Sequence, residues 1–228
     1  MASEAQKPRS IKSFVRRTGR ITPSQKNALD QHWKTFGIDY RDNPLEIPSE
    51  YSSVKLEIGI GNGDALISMA QNGSESFYIG IEVHEPGIGR CLNLIQKQGL
   101  ENVRLLRHDA VEVLQQMIPS VSLDRVLLFF PDPWHKKRHH KRRIVNRQFC
   151  DLLHLKLKPG GVIHMATDWQ EYAEWMSEVF LQDLRFENMG DENGYVPCPD
   201  YRPLTKFERR GRKLGHGVWD LCFARKSD

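Results

Sequence analysis

The chain has 228 residues, of which 39% are hydrophobic and 27% charged, and its formal net charge is +4. These values are typical of a soluble globular protein that buries a core as one large domain or as a domain with an extension. Because no apolar stretch is long enough to span a bilayer and no signal-peptide pattern begins the sequence, we expect a cytoplasmic protein without a membrane partner.

The cysteines are scattered without CxxC spacing, at Cys91, Cys150, Cys198 and Cys222. This spacing argues against a zinc cage or a disulfide framework and fits a reducing compartment. Three histidines lie close together between residues 135 and 140, but no further ligand follows them at a suitable spacing. We therefore expect no metal site.

Residues 1–21 are polar and basic and predict a flexible arm. Thr22, Pro23 and Gln25 then combine a helix cap, a first-position proline and a capping-box glutamine, and Gly37 ends the helix. Residues 22–53 thus predict an N-terminal helix and a connector. The main domain is predicted to occupy residues 54–228.

Strand and helix patterns alternate from residue 54 onwards. Strands are predicted at residues 54–58, 77–82, 103–107, 125–130 and 162–166, with helices at 65–71, 87–97, 111–117, 146–157 and 170–184. A last strand at 217–226 is predicted to pair with one at 185–189. The alternation predicts an α/β, Rossmann-like fold with a mostly parallel seven-stranded sheet, helices on both faces and an antiparallel C-terminal strand.

A glycine-rich turn follows the first of these strands, with glycines at Gly59, Gly61 and Gly63. Glycines at this place allow a tight turn and a close approach of the backbone to a ligand. The dinucleotide fingerprint would be GxGxxG, so this spacing, with Glu57 two residues before the first glycine, disfavours a pyrophosphate cradle. A plain tight turn is the structural alternative.

Acidic residues also end the next two strands. Glu82 lies about 20 residues after the turn, where an acid typically accepts hydrogen bonds from ribose hydroxyls, and Asp109 is placed to accept one from an adenine amine. For each acid alone, capping a helix is an equal alternative. Three acids at successive strand ends favour an adenosine ligand without phosphate, such as S-adenosylmethionine.

Residues 126–145 combine a buried strand, a Pro-Asp-Pro turn and a basic segment. Pro131 and Pro133 end the strand, so Asp132 lies at its carboxyl end, where open α/β sheets bind ligands. The basic segment begins at Lys136 and contains no acid before Asp151. An ordinary turn and a solvated charged face are the alternatives, but together the two features favour a site for nucleic acid, to which the N-terminal arm could add phosphate contacts.

These motifs resemble those of the bacterial tRNA (guanine-N7-)-methyltransferases, which are class I S-adenosylmethionine-dependent enzymes. The resemblance is carried by Glu57-Ile58-Gly59-x-Gly61-x-Gly63, Ile79-Gly80-Ile81-Glu82, Pro131-Asp132-Pro133-Trp134 with the basic run to Arg143, Ala166-Thr167-Asp168-Trp169, and the segment from Arg202 to Gly211. The proline-tryptophan motif with its basic run is very specific, whereas the glycine turn is generic. His135 departs from the family, whose members often carry proline there.

The resemblance implies methyl transfer to N7 of the variable-loop guanosine of tRNA, guanine 46 in standard tRNA numbering, giving 7-methylguanosine. It implies S-adenosylmethionine as cofactor, S-adenosylhomocysteine as its product, and Asp132 as the active-site carboxylate. Cofactor contacts are implied for Glu57, Gly59, Gly61, Glu82, Asp109 and Asp132. Substrate contacts are implied for Lys136, Asp168, Thr205, Lys206, Phe207 and Glu208, and an RNA-contact loop for Arg138, His139, His140, Lys141, Arg142 and Arg143.

Structural alternatives remain open for several of these residues. Asp168 precedes a helical pattern, and Thr205 to Glu208 has the form of a capping box, so both could serve as helix caps. Trp134 could stack on a base or anchor its loop. Guanine N7 has an in-plane lone pair and needs no strong base, so either Asp132 or Asp168 could instead read the donor edge of guanine.

Two other functions compete with this interpretation. One is a class I methyltransferase of another RNA, such as ribosomal RNA, and the other is a non-catalytic RNA-binding module. A nicotinamide oxidoreductase ranks last because the GxGxxG spacing is missing. We expect a monomer, with a homodimer left open.

Overall fold

A nine-stranded mixed sheet lies at the centre of the computed structural model, which describes residues 12–15, 19–204, 208 and 217–227. The strands are β1 (Gly37–Ile38), β2 (Ser53–Ile58), β3 (Ser76–Ile81), β4 (Val103–Leu106), β5 (Leu123–Phe129), β6 (Leu157–Thr167), β7 (Phe186–Asn188), β8 (Tyr195–Val196) and β9 (Trp219–Arg225). The helices are α1 (Pro23–Phe36), α2 (Asp64–Asn72), α3 (Glu85–Gln98), α4 (Ala110–Gln116), α5 (Arg147–Lys156) and α6 (Gln170–Leu181), with a 3₁₀ helix, η1, at Lys137–Arg142.

The strand order is β1-β4-β3-β2-β5-β6-β9-β7, with β8 paired to β9. Strands β1 to β6 run parallel, and β9 is antiparallel to β6, β7 and β8. The predicted α/β sheet with an antiparallel C-terminal strand is therefore confirmed. Seven strands match the predicted ones, and β1 and β8 are additional because two-residue strands carry no readable periodicity.

Several element boundaries differ from the sequence prediction, most of all the start of β6, which begins at Leu157 and not at residue 162, because the Pro-Gly-Gly of residues 159–161 is typical of a turn. Helix α6 ends at Leu181, three residues before the predicted end, and Asp183 then accepts a hydrogen bond from the Arg185 backbone N–H at 3.1 Å. The basic segment forms η1, which the sequence did not predict, because a run of like charges has neither the apolar stripe nor the cap that indicates a helix.

Each face of the sheet packs against its own set of helices. One core cluster joins residues of β2, β5 and β6 to α4, α5 and α6, and the other joins α1, α2 and α3 to the opposite face. Helix α1 has the predicted capping box, in which Thr22 and Gln25 exchange hydrogen bonds, and its Ala28 is fully buried. It approaches α3 closely, since a Cβ on Gly89 would lie 2.7 Å from the Gln25 carbonyl oxygen.

The strand order reverses direction between β2 and β5. From β2 the chain proceeds outward to β3 and β4, whereas β5 returns to the other side of β2. Loops at such a switch point diverge and leave a crevice at the carboxyl ends of the strands, where ligands bind. Within the described part of the chain, no helix has both the length and the apolar character needed to cross a membrane.

Candidate active site

A cavity of about 400 Å³ opens at this crevice. Three predicted site residues, Gly59, Glu82 and Asp132, line it together, from the ends of β2, β3 and β5. His108 and residues 13–15 of the N-terminal segment also line the cavity. The tertiary structure thus brings the glycine turn and the Pro-Asp-Pro motif to one site.

The glycine turn needs glycine for two different reasons. Gly59, Gly61 and Gly63 all have positive φ angles, of 74°, 55° and 80°. A Cβ on Gly59 or Gly61 would meet no atom within 4 Å, so these two residues leave open space, whereas a Cβ on Gly63 would lie 2.4 Å from the Cys91 sulfur. Gly87 of α3 also belongs to this arrangement, because its Cβ would lie 2.2 Å from the Gly61 carbonyl oxygen. Sequence analysis missed Gly87, since its spacing from the turn matches no fingerprint.

Glu82 is held in place by three backbone N–H groups. Its Oε2 accepts from Gly61 at 2.8 Å, and its Oε1 accepts from Val83 at 2.7 Å and from His84 at 2.9 Å. Glu82 therefore joins the glycine turn to the start of α3 and still faces the cavity.

Glu57 lies directly behind the turn and is 3% exposed. Its Oε2 has no hydrogen-bond partner. Burial, together with the negative charge of Glu82, raises the pKa of Glu57 to about 8. A buried carboxyl with an unpartnered oxygen is costly, and such groups are often found at binding sites.

Asp109 serves as the cap of α4, as the structural alternative proposed. Its Oδ1 accepts from the Val111 backbone N–H at 3.0 Å, and its Oδ2 accepts from the Lys12 ammonium at 2.8 Å. Lys12 also pairs with Glu112. Asp109 lines a neighbouring cavity of about 430 Å³, so it lies beside the first cavity rather than in its wall.

The Pro-Asp-Pro turn is bracketed by two strained residues. Phe130 and Trp134 both have a φ of 51°, which bulky side chains rarely adopt and which costs on the order of 1–3 kcal/mol. Between them, Asp132 is exposed and faces the cavity. Contacts with the surrounding residues must offset this strain. The strained backbone therefore indicates that these contacts determine the direction of the turn.

The side chain of Trp134 makes two of the contacts that hold the turn. Its Nε1 donates to the Ser13 carbonyl oxygen at 3.2 Å, and the Arg142 guanidinium lies 4.9 Å from the ring centroid. Trp134 thus anchors its loop to the N-terminal segment and to the basic segment.

The predicted substrate residue Lys136 and the residues of the predicted RNA-contact loop differ widely in exposure. Lys136, which precedes η1, and Arg138 and Lys141 within it are exposed, while His139, His140 and Arg142 are half-buried. Arg143, in contrast, is buried. The exposed members form a cationic surface next to the Pro-Asp-Pro turn.

The other predicted substrate residues lie between β6 and β9 in the chain. Asp168 follows β6 but does not cap α6, whose capping residue is Trp169 without a side-chain bond. Thr205, Lys206 and Phe207 lie outside the described residues. Glu208 is fully buried and pairs with Arg202 at 2.5 Å.

Arg202 holds this region to the sheet. Its guanidinium also contacts both carboxylate oxygens of Asp220 on β9, at 2.6 and 2.8 Å, and lies 6.0 Å from the Phe129 ring centroid at the end of β5. Sequence analysis did not identify Asp220, because nothing near it in the sequence indicates an ion pair. In the described ranges, no group of three or more histidine, cysteine or acidic side chains could hold a metal ion.

Comparison with known proteins places this site in a family. Residues 51–221 match the Methyltransf_4 family model, described as "Putative methyltransferase". A tRNA (guanine-N(7)-)-methyltransferase of Yersinia pseudotuberculosis is 55% identical over 96% of this chain and 92% of its own length. The enzyme of that name from Cronobacter sakazakii is 53% identical over 95% and 92%.

Solved structures agree in fold. The 16S rRNA methyltransferase KamB superposes with a TM-score of 0.53 at 13% identity, covering 78% of this chain and 90% of its own. An S-adenosylmethionine-dependent O-methyltransferase from Thermotoga maritima gives a TM-score of 0.51 at 16% identity, covering 93% and 68%. On the strength of the sequence match and this fold, the chain belongs to the tRNA (guanine-N7-)-methyltransferase family of class I S-adenosylmethionine-dependent methyltransferases.

Proposed function

We propose that this protein transfers the methyl group of S-adenosylmethionine to N7 of guanine 46 in the variable loop of tRNA, giving 7-methylguanosine. The observation that carries the proposal is the shared cavity: Gly59, Glu82 and Asp132 line it, and an exposed cationic segment begins four residues after Asp132. The relatives named tRNA (guanine-N(7)-)-methyltransferase support the substrate.

The residues at the crevice fit this cofactor. Gly59 and Gly61 leave open space beside the turn, and the unpartnered oxygen of Glu57 lies behind it. An acidic lining favours a cationic ligand over a phosphorylated one. In this proposal Glu82 accepts hydrogen bonds from the ribose hydroxyls and Asp109 accepts one from the adenine amine.

When bound, the cofactor supplies an electrophilic methyl group on a sulfonium. Guanine N7 has an in-plane lone pair, so no proton has to be removed before it is methylated. The task of the protein is therefore to align the base and to exclude water, and not to supply a strong base.

Asp132 is proposed as the active-site carboxylate. It is exposed at the mouth of the cavity, where it can face the purine, and its charge would stabilise the positive charge that develops on the ring during transfer. Asp168 is proposed as a substrate contact, and either carboxylate could accept the N1–H and the amino group of guanine.

The exposed cations of the basic segment are proposed to contact the tRNA backbone. Lys136, Arg138 and Lys141 lie on the surface next to Asp132, and backbone contacts of this kind position a nucleic acid without reading its sequence. The target base must turn outward to reach the cavity, so a firm grip on the flanking backbone is required.

Incubation with labelled S-adenosylmethionine and unmodified tRNA, followed by nucleoside analysis, tests the proposal. We expect 7-methylguanosine at position 46, and the product should vanish with tRNA in which that guanosine is replaced. Asp132→Asn and Asp132→Ala should lower kcat at least a hundredfold while the cofactor still binds. Label in ribosomal RNA but not in tRNA would favour a methyltransferase of another RNA.

Loss of label from every RNA, with intact cofactor binding by calorimetry, would instead favour the non-catalytic binding module. Near-normal turnover of both Asp132 variants would exclude the proposed role of that carboxylate.

A further inference from the structure

We propose that Arg143 is a positioning residue that holds the Pro131–Trp134 turn, and with it Asp132, in the orientation used for methyl transfer, and that it does not contact RNA. The inference rests on the proposed function and deepens it. It gives Arg143, the last residue of the basic segment, a structural role, whereas its exposed neighbours are proposed to bind RNA.

Burial first distinguishes Arg143 from those neighbours. Only 1% of its side chain is exposed, although Arg138 and Lys141, five and two residues earlier, are exposed. A phosphate contact needs a guanidinium that RNA can reach. Arg143 would have to leave its present contacts to make one.

Two hydrogen bonds of the guanidinium connect the turn with α6, and a terminal nitrogen also lies 3.2 Å from His140 Nε2 of η1. Nε donates to the Pro133 carbonyl oxygen at 2.9 Å, so the hydrogen bond is made one residue from Asp132. One terminal nitrogen donates to Glu171 Oε1 at 3.0 Å, in the first turn of α6. The planar guanidinium holds its donors in fixed directions toward both acceptors, whereas the compact ammonium of lysine has no such fixed geometry.

Two aromatic rings of α6 also pack against the Arg143 guanidinium. It lies 4.9 Å from the Tyr172 ring centroid and 5.3 Å from that of Trp175. Trp175 in turn donates from Nε1 to the Val145 carbonyl oxygen at 2.8 Å. These cation–π contacts fix the plane of the guanidinium and thereby the direction of its Nε–H toward Pro133.

The Pro131–Trp134 turn needs such a hydrogen bond because its backbone is strained. Phe130 and Trp134, the residues on either side of Pro131–Pro133, both have a φ of 51°. A strained turn relaxes unless its surroundings hold it. The hydrogen bond to Pro133 lies between the two strained residues, where it opposes such relaxation.

The test compares Arg143→Lys and Glu171→Gln with the exposed control Arg138→Gln from the same segment. Glu171→Gln is the second variant because Glu171 is half exposed, so its loss spares the fold. All are assayed well below their melting temperatures for kcat and KM with tRNA, cofactor affinity by calorimetry, and the salt dependence of tRNA binding.

For Arg143→Lys we expect kcat to fall at least tenfold and for Glu171→Gln severalfold. The KM for tRNA, the cofactor Kd and the salt slope should stay close to those of the wild type. For Arg138→Gln, whose side chain is proposed to contact the tRNA backbone, we expect instead a raised KM for tRNA and a salt slope reduced by about 1.

Hydrogen exchange gives a readout that does not depend on activity. Backbone amides within residues 130–136 should exchange at least tenfold faster in Arg143→Lys and stay unchanged in Arg138→Gln. A raised KM for tRNA with normal kcat in Arg143→Lys, or wild-type kcat and exchange in both Arg143→Lys and Glu171→Gln, would overturn the inference. A wild-type protein that does not methylate tRNA would instead refute the proposed function, whatever the variants do.

Discussion

Glu82 accepts a hydrogen bond from the backbone N–H of Gly61, at 2.8 Å, and so ties the end of β3 to the glycine turn after β2. The bond places a fixed negative charge close to the buried Glu57, and that charge adds to the effect of burial on its pKa. The site is therefore prepared for a positively charged ligand before one arrives.

Glu57 should couple cofactor binding to proton release. With a pKa of about 8, its carboxyl is mostly neutral at pH 7, and a bound cation should favour the ionised form. We expect calorimetry in buffers of different ionisation enthalpy to show release approaching about one proton at pH 7 and almost none above about pH 9. Affinity should rise with pH up to about 8.

Glu57→Gln is the control for this coupling and also tests stability. Because the folded-state pKa lies above the ordinary value of 4.5, the free energy of unfolding should decline in the wild type as pH rises from about 4.5 to about 8. The variant should lack both this decline and the proton release. An identical pH dependence in the two proteins would contradict the assignment.

Gly87→Ala should weaken cofactor binding at least tenfold. A methyl group on Gly87 would lie 2.2 Å from the Gly61 carbonyl oxygen, so α3 and the glycine turn would have to separate. Gly99→Ala is a matched control with a φ of 62° and open space around it. It should cost about 1–2 kcal/mol of stability through strain and leave cofactor affinity unchanged. Equal affinities in both variants would rule out the packing role of Gly87.

Lys12→Gln should strengthen cofactor binding severalfold. In the structure both oxygens of Asp109 are in use, one by the Val111 N–H and the other by the Lys12 ammonium. A ligand amine that bonds to Asp109 has to compete with Lys12. Titration of the wild type and the variant by calorimetry measures the difference, and weaker binding to Lys12→Gln would show instead that the lysine supports the occupied site.

Arg202→Met should destabilise the fold by about 3–5 kcal/mol, because it leaves the buried carboxylates of Asp220 and Glu208 without their guanidinium. Arg185→Met is the control. Arg185 also contacts two carboxylates, Asp183 and Asp151, but its side chain is 37% exposed, so its loss should cost about 1 kcal/mol or less. Urea unfolding of the wild type and the two variants measures these losses of stability. Similar losses in Arg202→Met and Arg185→Met would contradict a stabilising role of the buried ion pairs.

Local patterns were sufficient to predict most of the elements. Alternating strand and helix patterns predicted the seven longer strands and α1 to α6, and the two prolines beside Asp132 located the end of β5. The sequence did not predict η1, because a run of like charges has neither an apolar stripe nor a cap, and it did not predict β1 and β8, because two residues carry no readable periodicity.

What the sequence determined by itself was the order of the elements and the residues at the strand ends, because both follow from spacing and from the short-range preferences of glycine, proline and aspartate. Tertiary structure alone decided which charged side chains are available. Arg143 finds Glu171, Lys12 finds Asp109, and Arg202 finds Asp220, each across many residues. The reason is physical: the burial and the partners of a long charged side chain depend on segments that only folding brings together.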